Sequence, residues 1–349
     1  MSSTKLDWSK IKPQPLQDMA AGSGKKWVKV LGALLLFLAL VFTGIGIWMS
    51  QSPGVNQGFT QAKALAGNRP VTGALTTASV ISVTETLLGK PGGLLSNDVT
   101  PPSIFLDNMP SWEQGAIVQV RDISKALRDS FSRSQSQSQE DPALAEADPR
   151  FNFGIESWIL PSSEGEYRDG IAHLRDYLER LQDTDKSNAQ FYARADNLER
   201  YLVTVENRLG SLSQRLSASV GQRRLNTDLA GDAQATQSTP VSAELEVKTS
   251  WWKIDNVFYE ARGSTWALIQ FLKAIEQDFA PVLEDKNANV SLQQIIRELE
   301  ATQAPVRAPM ITRDESIYGL FPNHSLVMAS YISRAHAAVI DIRELLARG

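Results

Sequence analysis

FYARADNLERYLVTVENRLGSLSQRLS, residues 191–217, decides the fold class. Phe191, Ala195, Leu198, Leu202, Val205, Leu209, Leu212 and Leu216 recur at spacings of four and three. That period marks one face of a helix, whereas a half-buried strand would alternate residue by residue. A stripe of this kind is read as core rather than as a cofactor site. Upstream, Ser163-Glu164-Gly165-Glu166 reads as a capping box. It opens a helix with Tyr167, Ile171, Leu174, Leu178 and Leu181 inward. With DTDKSN (183–188) as the turn, the two helices are expected to form an antiparallel, coiled-coil-like hairpin.

The same period extends outward in both directions. Ser111-Trp112-Glu113-Gln114 reads as a second capping box, followed by Ala116, Val120, Ile123, Leu127 and Phe131 on one face. Trp251, Ile254, Phe258, Ala261, Thr265, Leu268, Leu272, Ile275 and Phe279 form another stripe, ended or kinked by Pro281. Shorter helices are expected over Ser291–Ala301, capped by Ser291 and Gln294, and over Ser325–Ala347, capped by Asn323. Residues 71–88 are also helical in pattern, and 221–250 lose periodicity and read as a mobile connection. The expected fold is all-α: one N-terminal transmembrane helix, then a bundle with long antiparallel, coiled-coil-like members.

Val30–Met49 is a run of twenty residues without a charge, enough for a helix to cross a hydrocarbon core of ~30 Å. It is longer than a signal-peptide apolar region, and Ile47-Trp48-Met49 puts bulky residues where cleavage requires small ones. Lys25, Lys26 and Lys29 precede the run, and the next basic residue is Lys63. The positive-inside rule then makes 1–29 a cytoplasmic tail and 30–49 the anchor in the lipid bilayer, with 50–89 a juxtamembrane helical segment. Residues 90–349 become an exported helical domain. The six lysines of 1–29 face only Asp7 and Asp18, so the rest of the chain is net acidic within a total charge of −4. An acidic body argues against nucleic acid as a partner. The chain has no cysteine, which removes disulfides, thiol catalysis and Cys-based zinc sites.

Chemistry is sparsely signalled. His173, His324 and His336 show no metal-ligand spacing, and HExxH, GxSxG and GxxxxGK[ST] are absent. No cofactor or metal is expected. Two carboxylates can suffice for a glycosidase, and Asp107 and Glu113 flank Trp112 in DNMPSWE, so these are the candidate catalytic and sugar-binding residues. The plainer reading makes Asp107 a turn former, Trp112 core, and Glu113 a favourable charge at a helix N-terminus. The alternating serines of SFSRSQSQSQED (130–141) are best read as helical, with Ser130, Ser134 and Ser138 on one face of a helix running over 111–139. That small face is expected to pack against GSLSQRLSAS (210–219), around Ser211 and Arg215.

GGLLSNDVTPP, FLDNMPSWEQG, VRDISKALRDSFSRSQSQS, FYARADNL, RLGSLSQRLSASVGQ and LEDKNANVSLQQIIRELEATQ together resemble a family of bacterial inner-membrane proteins catalogued as a domain of unknown function. The resemblance implies a single-pass protein with a periplasmic domain and supplies no activity, substrate or catalytic residue. The functional expectation is a non-enzymatic envelope scaffold or interaction module, with a protein partner or a second copy of the chain. The alternatives are a peptidoglycan hydrolase or transglycosylase, and a ligand-binding sensor domain.

Overall fold

The computed structural model describes residues 16–67, 71–133, 139–183, 185, 188–225, 244–306, 311 and 323–348. The chain divides into two compact units, Met1–Trp48 and Met49–Gly349. In the first, the described residues belong to α1 (Leu16–Met49), of which Lys26–Met49 is apolar and long enough to cross a membrane.

Among its described residues the second unit is all-α apart from one short ribbon. In chain order it contains α2 (Gln57–Ala66), α3 (Ala74–Gly89), α4 (Asn108–Ala126), α5 (Pro142–Phe151), α6 (Ser163–Gln182) and α7 (Ala195–Ser217). The ribbon of β1 (Gln222–Leu225) and β2 (Glu244–Val247) follows, then α8 (Ile254–Asp278), α9 (Ala280–Asp285), α10 (Asn289–Ala301) and α11 (His324–Ala347).

At the centre lies α3, packed by α2, α4, α6 and α8. All but three of its sixteen residues are buried. A helix enclosed on every side cannot show an amphipathic stripe. Its buried hydroxyls are satisfied within the helix: Thr77, Ser79, Thr84 and Thr86 donate to the carbonyls of Gly73, Thr76, Val80 and Ser82. Its N-terminus is capped from far along the chain. The Asp278 carboxylate accepts from both the backbone N–H and the hydroxyl of Thr76 at 2.7 Å.

The tightest contact in the body is between α4 and α8, which run parallel: Trp112 lies beside Gly263 and Trp266, Gln119 bonds Ser264, and Phe131 meets Phe279. A Cβ on Gly263 would sit 1.8 Å from the Trp112 carbonyl oxygen, and one on Gly115 would sit 1.9 Å from that of Glu260. Only glycine fits at either position. By contrast α7 and α11 are antiparallel, with Arg343 bridging Glu199 and Glu206, and Ser213 bonding Ser333.

Several expected features take a different form. The partner of α7 is α11, while α6 packs on α5 and α3, so α6 and α7 do not form the expected hairpin. Residues 189–194 run irregularly, tied by Tyr192 N–H to the Phe131 carbonyl and by the Tyr177 hydroxyl to the Gln190 carbonyl, and carry the chain away. Helix α4 begins at Asn108, ahead of Ser111; Pro110 is tolerated in the first turn because its missing N–H would have no helical partner there. The helix does not reach 139. It passes into a π turn over Leu127–Phe131 and stops, because Tyr192 takes the Phe131 carbonyl and Phe131 packs among Phe191, Tyr201 and Phe279. The cap of α6 is Ser162, not Ser163, and α10 starts at Asn289 without a side-chain cap from Ser291. Asn323 caps α11 as expected, accepting from Leu326 N–H. Helix α5 was not anticipated, although Asp141 as cap and Pro142 at the first position announce it. Within 221–250, β1 and β2 pair antiparallel, and 226–243 lie outside the described residues.

Two measurements check this packing. Gly263→Ala is expected to lower the urea-derived stability by about 1–3 kcal/mol or more through overpacking. Gly154→Ala, with open space around it, should change it by less than about 0.5 kcal/mol. Burial outweighs the Thr76 hydrogen bonds and pushes the Asp278 carboxyl above the usual aspartate range. The folded state then holds this proton more tightly than the unfolded chain, so the group favours folding most at acid pH. That contribution is lost as pH rises from ~3.9 through the raised value. Asp278→Asn, uncharged throughout, should show a flatter stability profile across that window when urea midpoints are compared.

Candidate functional site

The residues singled out in DNMPSWE fall at the start of α4, where the loop after α3 returns to the body. Helix α3 ends at Gly89, and Lys90 lies just beyond it with its N–H on the Thr86 carbonyl. Gly92 and Gly93 then adopt φ of 83° and 71°, left-handed conformations that turn the loop back over α4. The centre of that turn is charged. The Lys90 ammonium lies 2.5 Å from the Glu113 carboxylate, both side chains are almost entirely buried, and Lys90 also donates to the Gly93 carbonyl at 2.6 Å. Glu113 accepts further bonds from the N–H groups of Leu95 and Ser96 and from the Ser96 hydroxyl. The carboxylate is thus a fixed point around which residues 90–96 are wound.

Trp112, one residue earlier, is fully buried and packs at 5.0 Å, tilted by 48°, against Trp266, whose indole N–H donates to the Gly54 carbonyl. Asp107 is at the surface, and its backbone carbonyl accepts from the N–H and hydroxyl of Ser111. The two acids therefore occupy different surroundings: Glu113 is enclosed and saturated with donors, and Asp107 is solvated. Trp112 has no face free for a sugar ring.

Directly beside this assembly is a cleft of 560 Å³. Its polar lining comes from Ser96, Ser111, Gln114, Glu156, Asn256 and Glu260, joined by Lys253 at the rim, and neither Asp107 nor Glu113 lines it. Glu260 is held by a two-pronged contact from Arg215 of α7 at 2.7 Å. Ser96 is shared between the cleft and Glu113. Sequence reading missed this cleft because its walls come from separate loops and helix starts with no common motif. The one local signal was Ser96 and Ser111 lying close to the acids already singled out.

The serine stretch is only partly described. Ser130 is buried and borders a small cavity of 120 Å³ shared with Arg200, Tyr201 and Thr204, while Ser134 and Ser138 lie outside the described residues. Asp122 pairs with Arg208, which sets α4 and α7 antiparallel and places Ser130 by Thr204, about two turns from Ser211. Ser211 is exposed on α7. Among the described residues, no three His, Cys, Asp or Glu side chains gather as a metal site.

Replacing one member of the buried pair tests its role. Lys90→Met leaves Glu113 charged and buried, and a loss of about 3–5 kcal/mol is expected in urea unfolding. Lys90→Met combined with Glu113→Gln, which keeps an acceptor for Leu95 and Ser96 without the buried charge, should recover a large part of that loss, and Asp107→Ala should stay within about 0.5 kcal/mol of the parent.

No curated protein and no solved structure matches this chain. One family does: residues 21–349, nearly the whole length including the apolar helix and the body, match the family described as "Uncharacterized protein conserved in bacteria". The chain belongs to that bacterial family, DUF2333.

Proposed function

We propose that this protein is an inner-membrane-anchored component of the bacterial envelope, with residues 1–29 cytoplasmic and the helical body on the periplasmic side. There it acts as an interaction module rather than as an enzyme. The apolar run, flanked by lysines on its N-terminal side alone, supports the anchor and its direction. The observation that carries the non-enzymatic reading is the state of Glu113. The acid best placed by sequence for hydrolysis is enclosed with Lys90 and four hydrogen bonds, where a general acid needs access to a substrate oxygen. Partners of the body are a second protein of the envelope or a second copy of the chain.

A second reading is favoured by the cleft. Its hydroxyl, amide and carboxylate lining suits a small polar ligand, so a ligand-binding role stands beside the interaction role.

Because the chain has no cysteine, a single introduced one reports its own location without background. Ser3→Cys and Lys253→Cys, each in the full chain, should behave oppositely toward an impermeant maleimide added to intact spheroplasts. Labelling is expected at position 253 and not at position 3. The reverse pattern would overturn the proposed orientation. Photo-crosslinking from Ser211, exposed on α7, should yield a discrete higher-mass adduct in membranes. Persistence of only the monomer there and at other exposed helix positions would count against the interaction module.

A further inference from the structure

The loops around the cleft carry a second feature, on their outer side. Three segments meet at this end of the body, because the cleft is lined together by Ser96 and Pro110, by Ile155 and Glu156, and by Lys253. Asn97 ties two of them, donating to the Ser157 carbonyl at 2.9 Å and to Glu164 at 2.7 Å. Each segment displays large apolar side chains to solvent: Ile104 and Phe105 in the first, Trp158, Ile159 and Leu160 in the second, Trp252 in the third. Phe105 is 77%, Trp252 78% and Leu160 90% exposed. Elsewhere among the described residues of the body, exposed large apolar side chains occur singly, which is ordinary; the cluster at this end, which Val99 and Trp251 extend, is not.

Among the described residues of the body, nothing covers these side chains. Leu160 adds a backbone cost, since its φ of 49° lies in the left-handed region that branched side chains rarely adopt. A strained, exposed leucine between Ile159 and Pro161 calls for a contact beyond the described residues.

The covalent structure says which contact. Met49, the last residue of the apolar run and the first of the body, is buried at this same end, where its side chain lies against Gly92 and Leu95 of the loop that also carries Ile104 and Phe105. Met49, where the body begins in the sequence, therefore lies at the same end of the body as the apolar loop tips. The residue types are those that settle at the boundary of headgroups and acyl chains, tryptophan and phenylalanine with aliphatic neighbours. Charges nearby are mixed, Lys253 against Asp98, Asp107 and Glu156, so the attraction is apolar rather than electrostatic.

We propose that this end of the body, through Ile104, Phe105, Trp158, Ile159, Leu160 and Trp252, dips into the interfacial layer of the bilayer that residues 30–49 cross. This rests on the anchor reading given above. The body is then held to the membrane at two kinds of point: a spanning helix, and a ring of shallowly inserted loops that sets its tilt and keeps the polar cleft near the lipid surface.

The test uses the full chain with single cysteines carrying an environment-sensitive nitrobenzoxadiazole probe, reconstituted in phosphatidylcholine/phosphatidylglycerol vesicles. Leu160→Cys and Phe105→Cys report the rim. Val290→Cys, equally exposed and apolar but at the start of α10, is the control, and Phe42→Cys reports the apolar run. Quenching by shallow spin-labelled lipid is expected to be several-fold greater at 160 and 105 than at 290, with 42 quenched by deep-labelled lipid. If 42 is quenched while 160 and 105 behave like 290 toward aqueous iodide, the rim does not touch lipid and the inference fails with the anchor intact. If 160 and 105 are shielded from both quenchers, a second copy of the chain covers them, and the bilayer contact is overturned. If 42 itself is reached by iodide, the anchor reading falls and takes this inference with it.

Discussion

Two glycines, Gly115 on α4 and Gly263 on α8, set the geometry on which the rest of the body depends. They let two parallel helices approach until the backbone of each touches the other, with no room for even one methyl group. That closeness presses Trp112 onto Trp266 and leaves the next residue, Glu113, pointing out of the helix pair toward the loop after α3. The aromatic cluster of Phe131, Phe191, Tyr201 and Phe279 forms where the same two helices end. One close crossing thus fixes the register of both ends of the body.

The charged residues then do the finer work. Lys90 and Glu113 shape a loop from inside. Arg121 donates to the carbonyls of Phe151 and Phe153 at the end of α5, Arg180 grips the Asp141 cap at its start, and Arg262 donates to the carbonyls of Thr302, Gln303 and Ala304 after α10. In each case a cation satisfies carbonyls, or an acid satisfies N–H groups, at a helix end that packing has removed from water. A loop held so firmly from within can display apolar side chains on its outer side without collapsing around them. This is the condition that an interaction surface, with lipid or with protein, requires.

The helical periods were legible wherever a helix has one buried face. Leu198, Leu202, Val205, Leu209, Leu212 and Leu216 on α7, and Ile254, Phe258, Ala261, Leu268, Leu272 and Ile275 on α8, are buried as their spacing foretold. Partnership was not legible, because a leucine stripe does not state which other stripe covers it. Hence α7 finds α11 instead of its sequence neighbour α6. Helix starts were read from serines, yet Ser111 and Ser163 are each displaced inside their helices; a serine followed by an acid or amide describes several positions of a first turn equally well. As for the site, the sequence pointed to the right loop and the wrong chemistry. Nothing in DNMPSWE reveals that Lys90, an ordinary surface residue by composition, folds back over Glu113. The cleft beside it could not be read at all, since Ser96 and Glu260 come together only through the folded body.

The enclosure of α3 bears on how the chain comes into being. Its N-terminus is capped by a carboxylate 202 residues further on, and one of its walls is α8. A chain emerging in order from its N-terminus presents this apolar helix long before either is available. Until the Asp278 region arrives, α3 lacks both its cap and one of its walls, and bringing them together costs the closure entropy of a long loop. At sixteen residues, α3 is shorter than the roughly 20 apolar residues that a membrane-crossing helix needs. The central helix of the body therefore depends on a segment from the last third of the chain to complete its surroundings.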